Sequence, residues 1–192
     1  NPLHAAQVQP PLEPSPYLPT TRRFVSPLYI RVEDVPEVGY LSSAERQLIE
    51  WHADDAQGYL ELDLLDRDAA WTAKESALRM IFRQPRSVRR QRAFETFCEE
   101  GGASLLDFAT WCALSMEHGG SWHEWPQDLR DPASPAVIEF ATEHATEIEY
   151  YRWLQWITRD QLRHVQADVR DAGMGIGVVH DLAVGVHPQG AD

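Results

Sequence analysis

The chain has 192 residues, 43% hydrophobic and 24% charged, the composition of a globular protein able to bury a real core and not of a disordered segment. Its formal charge is −13, from 17 basic and 30 acidic residues, which argues against broad electrostatic binding to nucleic acid or to an anionic membrane surface. No apolar run approaches the ~20 residues of a membrane span.

Eight of the 13 prolines lie at or before Pro36. Each fixes φ and removes a backbone donor, so residues 1–40 are expected as an extended arm with turns. One short strand is expected within Phe24 to Val32. Ser42 followed by Glu45 is a capping box, opening a helix that should run to about Gln57 and end at Gly58. A second helix is expected over Asp68 to Arg83, where Trp71, Leu78 and Phe82 share a face and Pro85 stops the run. A third is expected over Ser87 to Glu100, ended by Gly101-Gly102. A fourth, Ser104 to Glu117, has Leu105, Phe108, Ala109, Cys112 and Met116 at helical spacing and ends at Gly119-Gly120.

A polar loop with aromatics, His118 to Ala133, follows. Ser134-Pro135 is an N-cap with proline at N1, and the helical pattern then persists to Asp171, with a break expected near Ala145. After Gly173 the period changes. Met174 to Val184 is expected as one buried strand, half of a βα repeat whose partner strands lie elsewhere. The chain begins at Asn1 without Met and stops at Gly190-Ala191-Asp192, and so reads as a piece of something longer.

Few residues carry legible chemistry. Cys98 and Cys112 fit no metal-binding or CxxC spacing and are expected as buried free thiols in a reducing cytoplasm. Arg83, Arg86, Arg89, Arg90 and Arg92 lack the interleaved aromatics of a nucleic-acid patch and read as a solvated face with neighbouring acids. His118, His123 and Glu124, or His144 and Glu147, are close in sequence, but no metal-site spacing is present, so no metal is expected. Tyr150, Tyr151, Trp153 and Trp156 are expected as core, while Trp122 and Trp125 are either loop anchors or ligand contacts. Asp181 sits inside the apolar run Val178 to Val184. A carboxylate there is either active-site equipment at a strand end or a structural group bonded to turn amides. The Ser15-Pro16-Tyr17 turn is weak evidence by itself.

An ordered set of segments resembles the 4-α-glucanotransferases called amylomaltases or disproportionating enzymes, family 77 of the glycoside hydrolases. The segments are Asn1-Pro2-Leu3-His4-Ala5; Ser15-Pro16-Tyr17 through Arg22-Arg23-Phe24; Ser26-Pro27-Leu28-Tyr29-Ile30; and Trp71 with Lys74 and Leu78. They continue with His118-Gly119-Gly120 before Trp122, Trp125 and Pro126; Trp153-Leu154-Gln155-Trp156 with Gln161-Leu162; and Gly173-Met174 through Asp181-Leu182-Ala183-Val184-Gly185-Val186. The resemblance implies an α/β fold, a (β/α)8 TIM barrel with a mostly helical inserted subdomain. On that template residues 1–40 are an arm from the end of barrel strand 2, 41–133 the helical insertion, and 134–192 a barrel helix and strand 3.

It further implies a retaining double displacement that passes a glucan segment to a sugar hydroxyl in place of water. The nucleophile and the acid/base would come from later strands, none of them within residues 1–192. Among the residues present, Asp181 resembles the strand-3 aspartate that binds sugar at the cleavage subsite, and Tyr17 the tyrosine that stacks on the same ring, with Ser15 beside it. No cofactor is implied; the partners implied are maltooligosaccharides and the remaining barrel strands. Read without the resemblance, the helices alone also allow a helical interaction module of a larger cytoplasmic protein.

Overall fold

Proline density governs the first forty residues. In the computed structural model, which describes residues 1–58 and 66–191, the first α-helix begins at Ser43. Strand β1 (His4–Ala5) pairs antiparallel with β2 (Thr21–Val25), with an irregular register between His4 and Ala5. The short strand therefore begins three residues before the Phe24 to Val32 window read from the sequence and overlaps it only at Phe24 and Val25. Pro27 ends it by opening a 3-10 turn, Pro27–Tyr29, whose first free amide is capped by the Ser26 side chain. Two further 3-10 turns, Val32–Asp34 and Pro36–Tyr40, complete the arm.

Five α-helices follow among the described residues. Helix α1 (Ser43–Gly58) starts at the capping box: the Glu45 amide donates to Ser42 Oγ at 3.3 Å and the Ser42 amide to Glu45 Oε2 at 2.8 Å. Helix α2 (Arg67–Phe82) is capped by Asp66, whose carboxylate accepts from the Ala69 amide at 2.9 Å. The third and fourth helices expected from the sequence form one run, α3 (Val88–His118), kinked at Gly102, whose φ of 52° and ψ of −145° suit glycine alone. Glu99 and Glu100 thus precede a kink inside the run and do not form its C-terminus. Helices α4 (Pro135–Glu143) and α5 (Ala145–Asp171) are separated at His144, one residue from the expected break.

The core forms where α2, α3 and α5 meet. Trp153, Leu78, Ile81, Leu105 and Ile157 are each 0–1% exposed, and Tyr150, Tyr151 and Trp156 are buried with them. Phe82 packs against Tyr150 and Trp153, and Phe94 against Trp156, at ring separations of 5.3 to 5.6 Å. The arginines do not all form a solvated face. Arg86 pairs with Glu149 beside Phe94. The Arg90 guanidinium lies 4.0 Å over the Trp156 ring, forks onto Glu37 at 2.9 and 3.1 Å, and reaches Asp160 at 3.0 Å. Glu37 is 1% exposed, so this is a desolvated tertiary ion pair between the arm and two helices.

Three glutamines on α5 hold the open edge of β2 and two stretches of chain outside the sheet. Gln155 accepts from the Val25 amide at 3.1 Å and donates to the Val25 carbonyl at 2.8 Å. Gln161 does the same for Arg31, at 2.9 and 2.7 Å. Gln166 accepts from the Val178 amide at 2.8 Å and donates to the Ile176 carbonyl at 3.4 Å. Each side-chain amide substitutes for a neighbouring strand, so backbone groups near the core keep partners.

Within residues 1–192 the stretch from Met174 to Val184, expected as a strand whose partners lie elsewhere, is neither paired along its length nor covered. Its ladder contact is a single parallel bridge between Pro2 and Asp181, and Ile176, Val179, Leu182 and Val184 are 64–95% exposed. A strand is buried by neighbours, and with one bridged residue there is little sheet to cover it. Ala183, at 0% exposure, and Gly177 are buried, and Val178 is half-buried. No helix among the described residues is long and apolar enough to cross a membrane.

Candidate functional site

Tyr17 and Asp181 are 164 residues apart, and the fold brings their side chains into contact. The Tyr17 hydroxyl donates to Asp181 Oδ2 at 2.7 Å. The hydrogen bond to Asp181, reinforced by its charge, raises the phenol above its ordinary pKa, so Tyr17 stays a neutral donor. Ser15 shapes the turn: its hydroxyl accepts from the Tyr17 amide at 3.3 Å, and its carbonyl accepts from the Leu18 amide at 3.2 Å. The structure thus joins two of the three candidate site residues through their side chains and puts the third beneath the tyrosine.

Two stretches of chain carry this pair. The arm is tied down on one side by the helices: the Leu12 backbone amide donates to Asp68 at 2.7 Å, the Trp71 indole to the Val8 carbonyl at 3.0 Å, and the Gln9 side-chain Nε2 to the Ser115 carbonyl at 2.8 Å. On the other side it meets the segment that follows Asp181. The His187 amide donates to the Pro19 carbonyl at 2.7 Å and the Ala191 amide to the Thr20 carbonyl at 3.0 Å. Arg22 donates to the carbonyls of Ala183 and Val184 at 3.4 and 3.3 Å. Tyr17 remains 50% exposed, and Asp181 is exposed too, so both present their polar atoms and the tyrosine its ring to an open surface.

Chemically, the pair offers a carboxylate that accepts hydrogen bonds and an aromatic face beside it. That combination binds a neutral polyhydroxylated ring, hydroxyls to the acid and the apolar ring face to the tyrosine. Arg22 and the three glutamines of α5 were not singled out from the sequence for this role. A polar residue within an amphipathic helix gives no local sign that it will serve backbone 130 residues away.

The other candidates have other duties. Trp125 is 3% exposed, donates to the Gly119 carbonyl at 2.7 Å and packs on Trp111, which makes it a loop anchor. Trp122 is half-buried at the edge of an apolar cavity of about 250 Å³ that also touches Phe24, Phe108 and Trp111. A polar cavity of about 320 Å³ lies between Gln7, Gln9, Glu124 and Gln189, and neither cavity is lined by Tyr17 or Asp181. His144 stacks on Phe140 and faces Glu117 at 3.3 Å, while Glu147 is taken by a two-pronged bond from Arg79. Among the described residues, no three His, Cys, Asp or Glu side chains converge as a metal site. Cys98 and Cys112 are buried and free, and burial raises both thiols, Cys112 well above its ordinary value.

The chain belongs to the 4-alpha-glucanotransferase family, glycoside hydrolase family 77, which it matches over residues 1–192. It is 47% identical over 203 residues to the 4-alpha-glucanotransferases of Mycobacterium bovis and Mycobacterium tuberculosis, with all of this chain and 27% of each relative covered. Among solved structures, the amylomaltase of Corynebacterium glutamicum superimposes with a TM-score of 0.81 at 44% identity, covering 100% of this chain and 25% of that one. The chain therefore spans about a quarter of the length of these relatives. They favour the transferase reading of the sequence over the helical interaction module.

Proposed function

We propose that this chain is the part of a 4-α-glucanotransferase that helps hold a sugar ring at the cleavage subsite of a maltodextrin. The whole enzyme would move α-1,4-glucan segments between maltodextrins by a retaining double displacement, with nucleophile and acid/base supplied by parts of the enzyme outside residues 1–192. The parallel bridge between Pro2 and Asp181, with α5 leading into the second of the two segments, supports reading 1–5 and 175–184 as adjacent strands of a (β/α)8 barrel. Residues 41–133 would then be its helical insertion. Free buried thiols fit a cytoplasmic enzyme.

The observation that carries this reading is the 2.7 Å contact between Tyr17 and Asp181 at the exposed end of that bridge. In this role Asp181 accepts hydrogen bonds from sugar hydroxyls that strengthen as the ring flattens toward an oxocarbenium ion. Tyr17 covers the ring and keeps water from the glycosyl intermediate, which favours transfer over hydrolysis. The test is maltotriose disproportionation by the full-length enzyme with product sizes resolved. Asp181→Ala should lower kcat/KM by ~100-fold or more, from ~3 kcal/mol of charged hydrogen bonding, at unchanged Tm. A variant that melts earlier but keeps full specific activity would show Asp181 to be structural.

A further inference from the structure

We infer that Gly190 and Arg22 are positioning residues: they set the distance between the arm that carries Tyr17 and the segment that carries Asp181. The inference rests on the sugar-binding reading of that pair and goes beyond it by naming what fixes its geometry.

Tyr17 and Asp181 lie on exposed surface, and no packed core holds their side chains in register. What joins the two segments is the parallel bridge between Pro2 and Asp181, backbone bonds at Pro19 and Thr20, and the Arg22 side chain. The arm's Thr20 is the hub: its amide donates to the Ala5 carbonyl at 2.8 Å, and its carbonyl accepts from the Ala191 amide at 3.0 Å. One residue earlier, the Pro19 carbonyl accepts from His187 at 2.7 Å. Gly190 stands between these two bonds, turned back by a 2.9 Å bond from its amide to the His187 carbonyl. It is buried, and so are Pro19 and Thr20.

A Cβ at Gly190 would fall inside the van der Waals envelope of the Thr20 carbonyl oxygen and lie 3.0 Å from that of His187. The obstacle is backbone on both sides, so no side chain can swing away. Any larger residue has to push the 187–191 segment off the arm. On the far side of Asp181's neighbours, Arg22 ties the carbonyls of Ala183 and Val184 to β2 at 3.4 and 3.3 Å. Gly190 therefore lets the segments meet, and Arg22 keeps the stretch between that meeting point and Asp181 from lifting away. Moving one segment by on the order of 1 Å is enough to separate a 2.7 Å hydrogen bond, and displacements of that size at a reacting site cost up to ~100-fold in rate.

The experiment uses the full-length enzyme with maltotriose, in the wild type and in Gly190→Ala, Arg22→Met, Tyr17→Phe and the two doubles with Tyr17→Phe. Gly190→Ala should lower kcat/KM by roughly 10- to 100-fold and raise the ratio of glucose released by hydrolysis to glucan transferred. Arg22→Met should shift the same ratio by a smaller factor, and it serves alone if Gly190→Ala does not fold. Because both act through the Tyr17–Asp181 contact, each double should be no worse than the poorer of its singles. A merely structural role would lower soluble yield or Tm, leave the ratio untouched and multiply with Tyr17→Phe. That result would overturn the inference while leaving the sugar-binding reading intact. Should Tyr17→Phe itself leave both activity and ratio unchanged, the Tyr17–Asp181 contact does not set the geometry and the inference falls, while the sugar-binding reading, which rests on the tyrosine ring and on Asp181, is decided separately by Asp181→Ala.

Discussion

Arg90 should be among the most costly side chains to remove, and the structure says why. Its guanidinium makes two bonds to Glu37 and one to Asp160 and sits 4.0 Å above the centre of the Trp156 ring. The two carboxylates are not equivalent. Asp160 is 17% exposed and keeps Arg163 at 2.8 Å when Arg90 is gone, whereas the Glu37 side chain is 1% exposed and, among the described residues, pairs with Arg90 alone. Arg90→Met therefore leaves an uncompensated buried charge, which costs about 3–5 kcal/mol. For a chain of this size that is a drop in Tm of roughly 6–20 °C. Glu37→Gln should cost less, because Arg90 keeps Asp160 and is itself 20% exposed. The double variant Arg90→Met/Glu37→Met removes the charge with its partner and should return to within about 1–2 kcal/mol of the wild type. Thermal and urea melts followed by circular dichroism measure these three variants and the single Glu37→Met against the wild type. If Arg90→Met costs under ~1 kcal/mol, or if the double is as bad as the two singles added, the pair is not desolvated and this reasoning fails.

Two further outcomes follow from the same structure. Gln155→Leu should cost about 2–4 kcal/mol, since the Val25 amide and carbonyl both lose their partner at once; a melt within 1 kcal/mol of wild type would mean water replaces it. Burial alone would raise the Glu147 carboxyl, but the Arg79 fork outweighs it and holds the group below its ordinary value. A depressed folded pKa stabilises above the unfolded value near ~4.3 and loses that contribution as pH falls through the lowered folded value. Glu147→Gln should thus be less stable than wild type at neutral pH, with the gap closing below about pH 4; a gap independent of pH contradicts the assignment.

The parts of the fold legible in the sequence are those decided within one turn of chain. Ser42 and Glu45 marked a helix start because both halves of the capping box lie three residues apart, and Ser134-Pro135 did so for α4. The double glycine at 101–102 predicts a stop, and the kink at Gly102 is what remains of it once packing against α5 continues the run. The arginine cluster was misread for the opposite reason. Arg90 meets Glu37 across 53 residues, and no local pattern distinguishes an arginine bound for a buried acid from one bound for water. Strand β2 was displaced in the reading because Thr21-Arg22-Arg23 carries no apolar alternation; its edge is satisfied by Gln155. Tyr17 and Asp181 were individually ambiguous, and their contact could be expected only from the ordered resemblance of whole segments to one family.

The exposure of residues 174–184 points to one more test. The composition was that of a buried strand, yet Ile176, Val179, Leu182 and Val184 stand 64–95% exposed. Covering an aliphatic side chain of that kind contributes about 1.5–3 kcal/mol, so four of them represent on the order of 6–12 kcal/mol, comparable to the net stability of a whole domain. A chain that spans a quarter of its relatives' length has a place for that free energy if strands from the rest of the enzyme pack on this segment, as the barrel reading requires. Val179→Ser discriminates. In the 192-residue chain, where Val179 is 78% exposed, it should change stability by no more than about 0.5 kcal/mol. In the full-length enzyme it should cost about 1.5–3 kcal/mol, because the same side chain is then withdrawn from water. Equal small effects in both would mean that this face stays open in the whole enzyme, and the barrel assignment of residues 175–184 would have to be abandoned.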